Sequence, residues 1–392
     1  MSREKDSSHL AILGAEPAFK ELVMITKPTI SSIPSLKKKY GDILKSGMIT
    51  NGRYVRDFED KVAKYLGVRN AVALNSCTGG LMLLMKVLNL TGEVIVPSFT
   101  FHATAHAVVW SGLKPVFVDC DPKTFNISPE AVQAAITSRT SAVLAVHVFG
   151  NPCSIGELES ITNKHGLPLI FDSAHGFGAT YKNRQIGSFG RAEVFSLSPT
   201  KLLTAGDGGI AATNDDSLAE KIRTGRNYGD PGTYDSEFSG FNARMSEFHA
   251  LLGIECLKDL EKNVVRRNRL ATLYKKLLAN VPGLYFQEVE TENRSTFKDF
   301  SVLVNEREMG LSRDVLSVAL AKENITTKKY FSPPVHEQKA FKGYYKASYR
   351  SNLPATKMIS RRILNLPIYS HMPESVVRKI CTVIEKLYHR AQ

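Results

Sequence analysis

Two residues of opposite charge follow apolar stretches that are typical of buried strands. Lys201 stands in SLSPTKLLTAGDGG, directly after the apolar run at residues 192–197, and Asp172 closes another apolar run in LIFDSAH. Burial disfavours the charged form of an amine, which lowers its pKa and makes it nucleophilic toward aldehydes. A buried carboxylate needs a cationic or hydrogen-bonding partner, although Asp172 could also be an ordinary helix N-cap. The pair predicts a site where an amine attacks a carbonyl carbon.

Three further groups could complete such a site. In ALNSCTGG, the hydroxyl groups of Ser76 and Thr78 and the backbone N–H groups of Thr78 and Gly79 stand where a helix begins, which suits a phosphate. Phe101 in VPSFTF could stack on a heterocycle, and His175 lies one turn after Asp172. Each group has a plain alternative, in helix packing or in the core. Together, a phosphate cradle, a stacking ring, a carboxylate for a pyridinium nitrogen and a Schiff-base lysine describe a site for pyridoxal 5'-phosphate (PLP).

The elements that must position these residues alternate along the chain. From residue 70 onward, helical patterns separate the apolar runs NAVAL, EVIVPS, PVFVDCD, AVLAVHVFG and PLIFDSA. Continuous apolar runs with helices between them predict a parallel sheet that is buried on both faces. Ligands of such sheets collect at the carboxyl ends of the strands, which is where the candidate residues stand.

The patterns divide the chain into three units. We expect an N-terminal arm and helix at residues 1–45, a large α/β domain that binds PLP at 46–265, and a small α+β domain at 266–392. A helical pattern from residue 246 to the Pro-Gly pair at 282–283 indicates one long helix. The small domain is expected to hold a strand near FKDFSVLVN, a helix near LSRDVLSVALAKEN, and a final helix with Val376, Ile380, Val383 and Leu387 on one face.

Charge and cysteine content narrow the class of protein. The formal net charge is +13, but the basic residues are scattered and not interleaved with aromatic residues, so we expect no nucleic-acid partner. A positive field instead suits an anionic small substrate. The five cysteines show neither CxxC nor zinc spacing, which predicts no metal site and a reducing compartment. Without a signal peptide or a long apolar run, the sequence predicts a cytoplasmic protein that does not enter a membrane.

The motifs resemble those of a known family, the PLP-dependent fold-type I sugar aminotransferases of the DegT/StrS type. The similarity covers most of residues 45–265, in NGRYVRDFEDKVAKYLGVRNAVALNSCTGGL, EVIVPSFTFHATAHAVVWSGLKPVFVDCDPKTFNISPEAV, FDSAHGFGATYKNRQIGSFGRAEVFSLSPTKLLTAGDGG, GRNYGD and NARMSEFHALLG. It implies a mostly parallel seven-stranded sheet between helices and a smaller α+β C-terminal domain. This chain departs from the family in having Phe171 where Glu is frequent, GDGG for GEGG, and an unusual KKYFSPPVHEQ segment, which leaves the exact substrate open.

The resemblance also implies roles for individual residues. Lys201 is implied as the lysine that binds PLP and moves protons, Asp172 as the partner of the pyridinium nitrogen, and His175 as a residue beside O3' of the cofactor. The other implied roles are ring stacking for Phe101, phosphate binding for Thr78, Gly79 and Ser196, phosphate binding in the neighbouring subunit for Asn227, and sugar binding for Tyr330 and His336.

The implied reaction moves an amino group from L-glutamate to a nucleotide-linked keto-sugar by way of pyridoxamine 5'-phosphate. The acceptor expected is a 4-keto-6-deoxyhexose on dTDP, UDP or GDP, and the active unit expected is a homodimer with shared sites. Relatives that remove a hydroxyl group carry His at the position of Lys201, so the lysine favours transamination.

Two alternatives stay open, a keto-cyclitol acceptor and a non-catalytic regulator on the same fold. The S-x-x-K pattern at residues 198–201 could also indicate an acyl-serine enzyme, but its companion motifs stand in the wrong order.

Overall fold

The computed structural model describes residues 10–30, 33–345 and 352–392. Its twelve strands are β1 Asn70–Leu74, β2 Glu93–Pro97, β3 Lys114–Val118, β4 Thr140–Val146, β5 Leu169–Asp172, β6 Thr180–Tyr181, β7 Arg184–Gln185, β8 Ala192–Ser196, β9 Gly209–Thr213, β10 Leu284–Phe286, β11 Phe300–Val304 and β12 Ile363–Leu366. Its fourteen helices are α1 Ile33–Ser46, α2 Arg53–Leu66, α3 Cys77–Val87, α4 Ala103–Trp110, α5 Pro129–Ala135, α6 Ile155–Lys164, α7 Asp216–Gly225, α8 Glu247–Leu257, α9 Leu260–Leu278, α10 Glu306–Met309, α11 Arg313–Lys322, α12 Lys342–Tyr345, α13 Pro354–Arg362 and α14 Glu374–Ala391. Parts of the predicted arm (1–9 and 31–32) and of the predicted small domain (346–351) lie outside the described residues.

A seven-stranded sheet forms the centre of the molecule, in the order β1-β9-β8-β5-β4-β2-β3. Strand β9 pairs in antiparallel fashion with β1 and β8, and every other neighbouring pair is parallel. The predicted seven-stranded, mostly parallel sheet is therefore confirmed.

Helices cover both faces of this sheet, which explains the continuous apolar runs. Successive side chains of a strand point to opposite faces, so a strand that is covered on both sides needs apolar residues at every position. In β8, Val194 belongs to one buried cluster and Phe195 to the cluster on the other face. Strands β5 and β8 are parallel neighbours, so their carboxyl ends, at Asp172 and Ser196, lie at the same edge of the sheet.

A second, antiparallel sheet lies in the C-terminal part, in the order β10-β11-β12. Its core also takes up Leu10 and Val23 from the N-terminal segment. The carboxylate of Glu323 accepts the N–H groups of Ala11 and Ala18 at 2.7 and 2.6 Å. Residues of the predicted N-terminal unit thus pack on the predicted small unit, while the two boundaries between the three predicted units stay predictions.

The predicted single long helix from residue 246 is wrong, because the chain forms α8 and α9 with a break at Lys258 and Asp259. Asp259 leaves the helical conformation, with φ −103° and ψ 5°. The break lets α8 pack on α1 and α2 while α9 packs on α14. Helix α9 joins two cores, because Val264 lies in the core of the large sheet and Tyr274 in the smaller one.

Within the described ranges, no helix combines the length and the apolar character that crossing a membrane would require.

Candidate active site

A pocket of about 250 Å³ opens at the carboxyl ends of β1, β2, β4, β5 and β8. Its lining residues are Ser76, Cys77, Thr78, Leu81, Thr100, Phe101, Ala103, Val146, Val148, Asp172, Ala174, His175, Ser196, Ser198, Lys201, Asp207, Gly208 and Phe331. The sheet thus brings together six of the predicted site residues, which are Thr78, Phe101, Asp172, His175, Ser196 and Lys201. The roles of these residues stay predictions.

Asp172 provides a buried carboxylate on the wall of the pocket, with only 5% of its surface exposed. Its Oδ2 accepts the hydroxyl of Thr104 at 2.8 Å, and its Oδ1 accepts the backbone N–H of Ala174 at 3.1 Å. The thiol of Cys77 approaches Oδ1 at 3.7 Å. Burial raises the pKa of Asp172, and the hydrogen bonds and the charge of Lys201 oppose that rise.

Lys201 lines the same pocket from the loop that follows β8. Burial, and next the positive charge of Lys298, lower the pKa of its amine to about 8. Asp299, Cys77 and Asp172 act in the opposite direction. An amine with this pKa has a substantial neutral fraction near neutral pH, which is the form that attacks carbonyl carbons and accepts protons.

The imidazole of His175 is held as a neutral ring. Its Nδ1 accepts the backbone N–H of Phe149 at 3.2 Å, so this nitrogen carries no proton. Burial, with the charges of Lys201 and Lys298, places the pKa of His175 well below its usual value. The proton of the neutral ring therefore resides on Nε2, which makes that atom a hydrogen-bond donor.

The first turn of α3 forms one end of the pocket. Ser76 caps the helix, and its Oγ accepts the N–H of Gly79 at 3.0 Å. Thr78, Ser196 and Ser198 place three hydroxyl groups on the lining beside this helix N-terminus. Such an arrangement favours an anion, because the N-terminal end of a helix carries partial positive charge.

Four predicted site residues do not line the pocket. The N–H of Gly79 is engaged by the cap, and the side chain of Asn227 bonds Arg244 and the carbonyl of Asp230. Tyr330 lies over the ammonium group of Lys298, 5.6 Å from the ring centre. His336 is 2% exposed and bonds Ser98 through Nδ1 at 2.5 Å. The roles predicted for these four residues therefore need a partner subunit, a bound ligand or a local rearrangement.

Sequence reasoning missed several residues at the site. Thr104 could have been predicted from the sequence, because it follows Thr100 by four residues just after a predicted strand. Residues at this spacing lie on the same face of a helix. Phe331 could not have been predicted in this way, since it reaches the pocket from the C-terminal part of the chain. Lys298 and Asp299 form a buried ion pair at 3.0 and 3.1 Å, and their sequence neighbours gave no hint of it.

Comparison with known proteins decides the family. Residues 33–385 match the model of the DegT/DnrJ/EryC1/StrS aminotransferase family. The chain belongs to this family. Its aminotransferase class and its type I fold, both predicted from the sequence, are thereby confirmed.

Relatives of this aminotransferase include enzymes named for nucleotide sugars. It is 31% identical to the dTDP-4-amino-4,6-dideoxy-D-glucose transaminase of Escherichia coli, over 92% of this chain and 98% of that protein. It is 30% identical to the GDP-perosamine synthase of Vibrio cholerae, over 91% of this chain and 98% of the relative. The crystal structure of DesI in the presence of its TDP-sugar product matches with a TM-score of 0.91 and 37% identity, over 98% of this chain and 96% of DesI.

Members of the family depend on PLP, and the donor set of the pocket fits that cofactor. The buried carboxylate of Asp172 suits a pyridinium nitrogen, and the amine of Lys201 suits an aldehyde. The cradle at α3 suits a phosphate, and Phe101 is 48% exposed, which leaves its ring accessible for stacking. Strand β9 approaches α3 so closely that a Cβ on Gly209 would lie 2.5 Å from the carbonyl carbon of Ser76.

The buried ion pair predicts opposite pKa shifts of Lys201 in two variants. Lys298→Met removes a positive charge, so we expect the pKa of Lys201 to rise above 8 and its reactive neutral fraction to decrease at pH 8. Asp299→Asn removes a negative charge, so we expect the pKa to fall. Competitive acetylation of the cofactor-free chain across a pH series, with peptide mass spectrometry, measures the reactivity of Lys201 directly.

The exposed Lys262→Met on α9 is the matched control and should leave the profile of Lys201 unchanged. Breaking a buried pair destabilises by about 3–5 kcal/mol, so thermal melting must show that each variant is folded at the assay temperature. Shifts of the same sign in Lys298→Met and Asp299→Asn would contradict the assigned influence of the pair.

Gly209→Ala tests the close approach of β9 to the cradle. The added methyl group would meet the backbone of Ser76 and Cys77 within 2.7 Å, so α3 must move away from the sheet. We expect a loss of about 1–3 kcal/mol in the free energy of unfolding, measured by urea denaturation, and weaker retention of PLP on dialysis.

Gly41→Ala in α1 is the control, because nothing lies within 4 Å of the added methyl group. In a helix interior this change should stabilise by about 0.5–1 kcal/mol. Equal effects of the two substitutions would show that contact between β9 and α3 does not matter.

Proposed function

We propose that the protein is a PLP-dependent aminotransferase that moves an amino group from L-glutamate to a nucleotide-linked 4-keto-6-deoxyhexose. The observation that carries this proposal is the convergence of Lys201 and Asp172 on one pocket beside the N-terminus of α3. The names of relatives support the acceptor class, because they refer to a dTDP-linked and a GDP-linked sugar, and DesI was crystallised with a TDP-sugar product. The net charge of +13 also favours a substrate with a diphosphate.

When bound, PLP supplies a ring that accepts the electron pair left on a substrate carbon after proton removal. Lys201 would hold the cofactor through Nζ and, once displaced by an amine, would accept the proton from the substrate carbon at that same atom. Its pKa of about 8 allows both acceptance and return of the proton near neutral pH. Asp172 would keep a proton on the pyridine nitrogen, and His175 would donate through Nε2 to an oxygen of the cofactor.

The active unit that we propose is a homodimer with two shared sites. Asn227 lies outside the pocket of its own chain, which supports a role in the neighbouring subunit. The half-exposed ring of Tyr228 next to it provides apolar surface for such a contact. We also propose a cytoplasmic location, because Cys77, Cys120, Cys153 and Cys381 are buried thiols outside any disulfide, which suits a reducing compartment.

A panel of acceptors tests the proposed function. The purified protein, saturated with PLP, is incubated with L-glutamate and with keto-sugars on dTDP, UDP or GDP, and keto-cyclitols are included. We expect an amino-sugar nucleotide and an equal amount of 2-oxoglutarate, measured by mass spectrometry and a coupled assay. Amination of a cyclitol alone would replace the acceptor class, and a protein that neither retains PLP nor consumes glutamate would overturn the enzyme assignment.

A further inference from the structure

A chain of hydroxyl groups connects the pocket to the buried face of Asp172. Thr100 lines the pocket in the loop after β2, and Thr104 stands behind it in the first turn of α4. Their Oγ1 atoms are 3.0 Å apart, and Thr104 Oγ1 lies 2.8 Å from Asp172 Oδ2. Thr100 and Thr104 are 1% and 0% exposed, so water does not compete for these bonds.

The number of protons available determines which group donates in each of these hydrogen bonds. An ionised carboxylate only accepts, and a threonine hydroxyl has a single proton to donate. Because Thr104 donates its proton to Asp172, the bond between the two threonines must be donated by Thr100. A threonine in a helix commonly bonds a carbonyl four residues earlier, whereas Thr104 bonds two side chains instead. The order is therefore Thr100 to Thr104 to Asp172, with every donor pointing toward the carboxylate.

The two threonine hydroxyl groups reduce the free-energy cost of burying the negative charge of Asp172. Around Asp172, the other groups are the N–H of Ala174 at 3.1 Å, the weakly donating thiol of Cys77 at 3.7 Å, and the charged amine of Lys201. Hydrogen bonds to an ionised group are roughly twice as strong as neutral ones, so an aligned donor favours the carboxylate over the carboxylic acid. Thr104 supplies the shortest of these bonds, which makes it the main local support for the ionised form.

We propose that Thr100 and Thr104 are positioning residues that form a hydroxyl relay, which holds Asp172 ionised and fixes its orientation toward the pocket. The relay gains its catalytic meaning from the proposed function, in which the negative charge of the ionised carboxylate would stabilise the proton on the pyridine nitrogen of PLP. Thr104 acts through Asp172 alone, and Thr100 acts through Thr104.

The test titrates Asp172 in the full chain after bound cofactor has been removed by dialysis against hydroxylamine. The infrared band of the protonated carboxyl group is followed with pH, and subtraction of the Asp172→Asn spectrum assigns it. Thr104→Val keeps the shape and removes the hydroxyl, so we expect the titration midpoint to rise by about one pH unit. Thr104→Ser retains the hydroxyl and should restore the midpoint of the unaltered chain. Thr100→Val should raise the midpoint by less.

An unchanged midpoint in folded Thr104→Val would overturn the relay, as would a Thr104→Ser variant that behaves like the valine variant. Should Thr104→Val fail to fold, the Thr100→Val variant provides the test, because it leaves the hydrogen bond from Thr104 to Asp172 in place. An unshifted titration midpoint in Thr100→Val would show that Thr100 does not act on Asp172 through Thr104. This readout needs neither PLP nor turnover. The relay and the proposed aminotransferase function can therefore fail separately.

Discussion

Replacing Lys201 by alanine is expected to abolish turnover, with a loss of at least about 10⁴-fold in kcat. The amine is both the proposed attachment point of PLP and the proposed carrier of the proton, so one substitution removes two functions. Lys201 is the lysine among the described residues that line the pocket, and its pKa of about 8 leaves part of this amine neutral near neutral pH. The measurements are the steady-state rate of transamination and the visible absorption spectrum of the protein saturated with PLP. The absorption band of PLP bound to a lysine should be absent in the variant.

The exposed Lys262→Ala on α9 serves as the matched control, because it removes the same group far along the chain from the site. It should retain both activity and absorbance. Circular dichroism and thermal melting of Lys201→Ala should resemble those of the unaltered protein, since Asp172 keeps its hydrogen bonds from Thr104 and Ala174. Normal turnover in the alanine variant would end the proposal for this residue.

The second large effect is expected for Asp172→Asn, which keeps the shape of the side chain and removes its charge. Without the carboxylate, the positive charge on the pyridine nitrogen of PLP would lose its partner. We therefore expect the rate to fall by about two to four powers of ten, which corresponds to about 3–5 kcal/mol in activation free energy. The amide oxygen can still accept the hydroxyl of Thr104, but the NH2 group then faces the N–H of Ala174, so thermal melting must show that the variant is folded. The ¹⁵N chemical shift of the pyridine nitrogen in bound, labelled PLP reports its protonation and should move toward the unprotonated value.

Asp60→Asn provides the control for this substitution, because Asp60 is an exposed carboxylate on α2. Its effect on the rate should stay within a factor of about two, as for ordinary surface changes. A full rate in Asp172→Asn, or an unchanged ¹⁵N shift, would show that the carboxylate does not serve the pyridine nitrogen.

The fold followed from the sequence wherever a physical rule acts locally. Strands covered on both faces need uninterrupted apolar residues, so β2, β4, β5 and β8 were recognisable before their neighbours were known. The break between α8 and α9 could not be predicted, because the helical pattern continues through Lys258 and Asp259. It follows from the two helices packing on different partners, which are distant in sequence.

The sequence by itself determined that Lys201 and Asp172 would meet, because the carboxyl ends of neighbouring parallel strands lie at one edge of a sheet. Tertiary structure alone decided what surrounds them. Phe331 reaches the pocket from the C-terminal part of the chain, and the buried ion pair of Lys298 and Asp299 bears on the pKa of Lys201 from the same part. Residue type and chain direction determine where a strand ends. The burial, charge and hydrogen bonding at that end depend on segments that are distant in sequence and come into contact only when the two cores pack together.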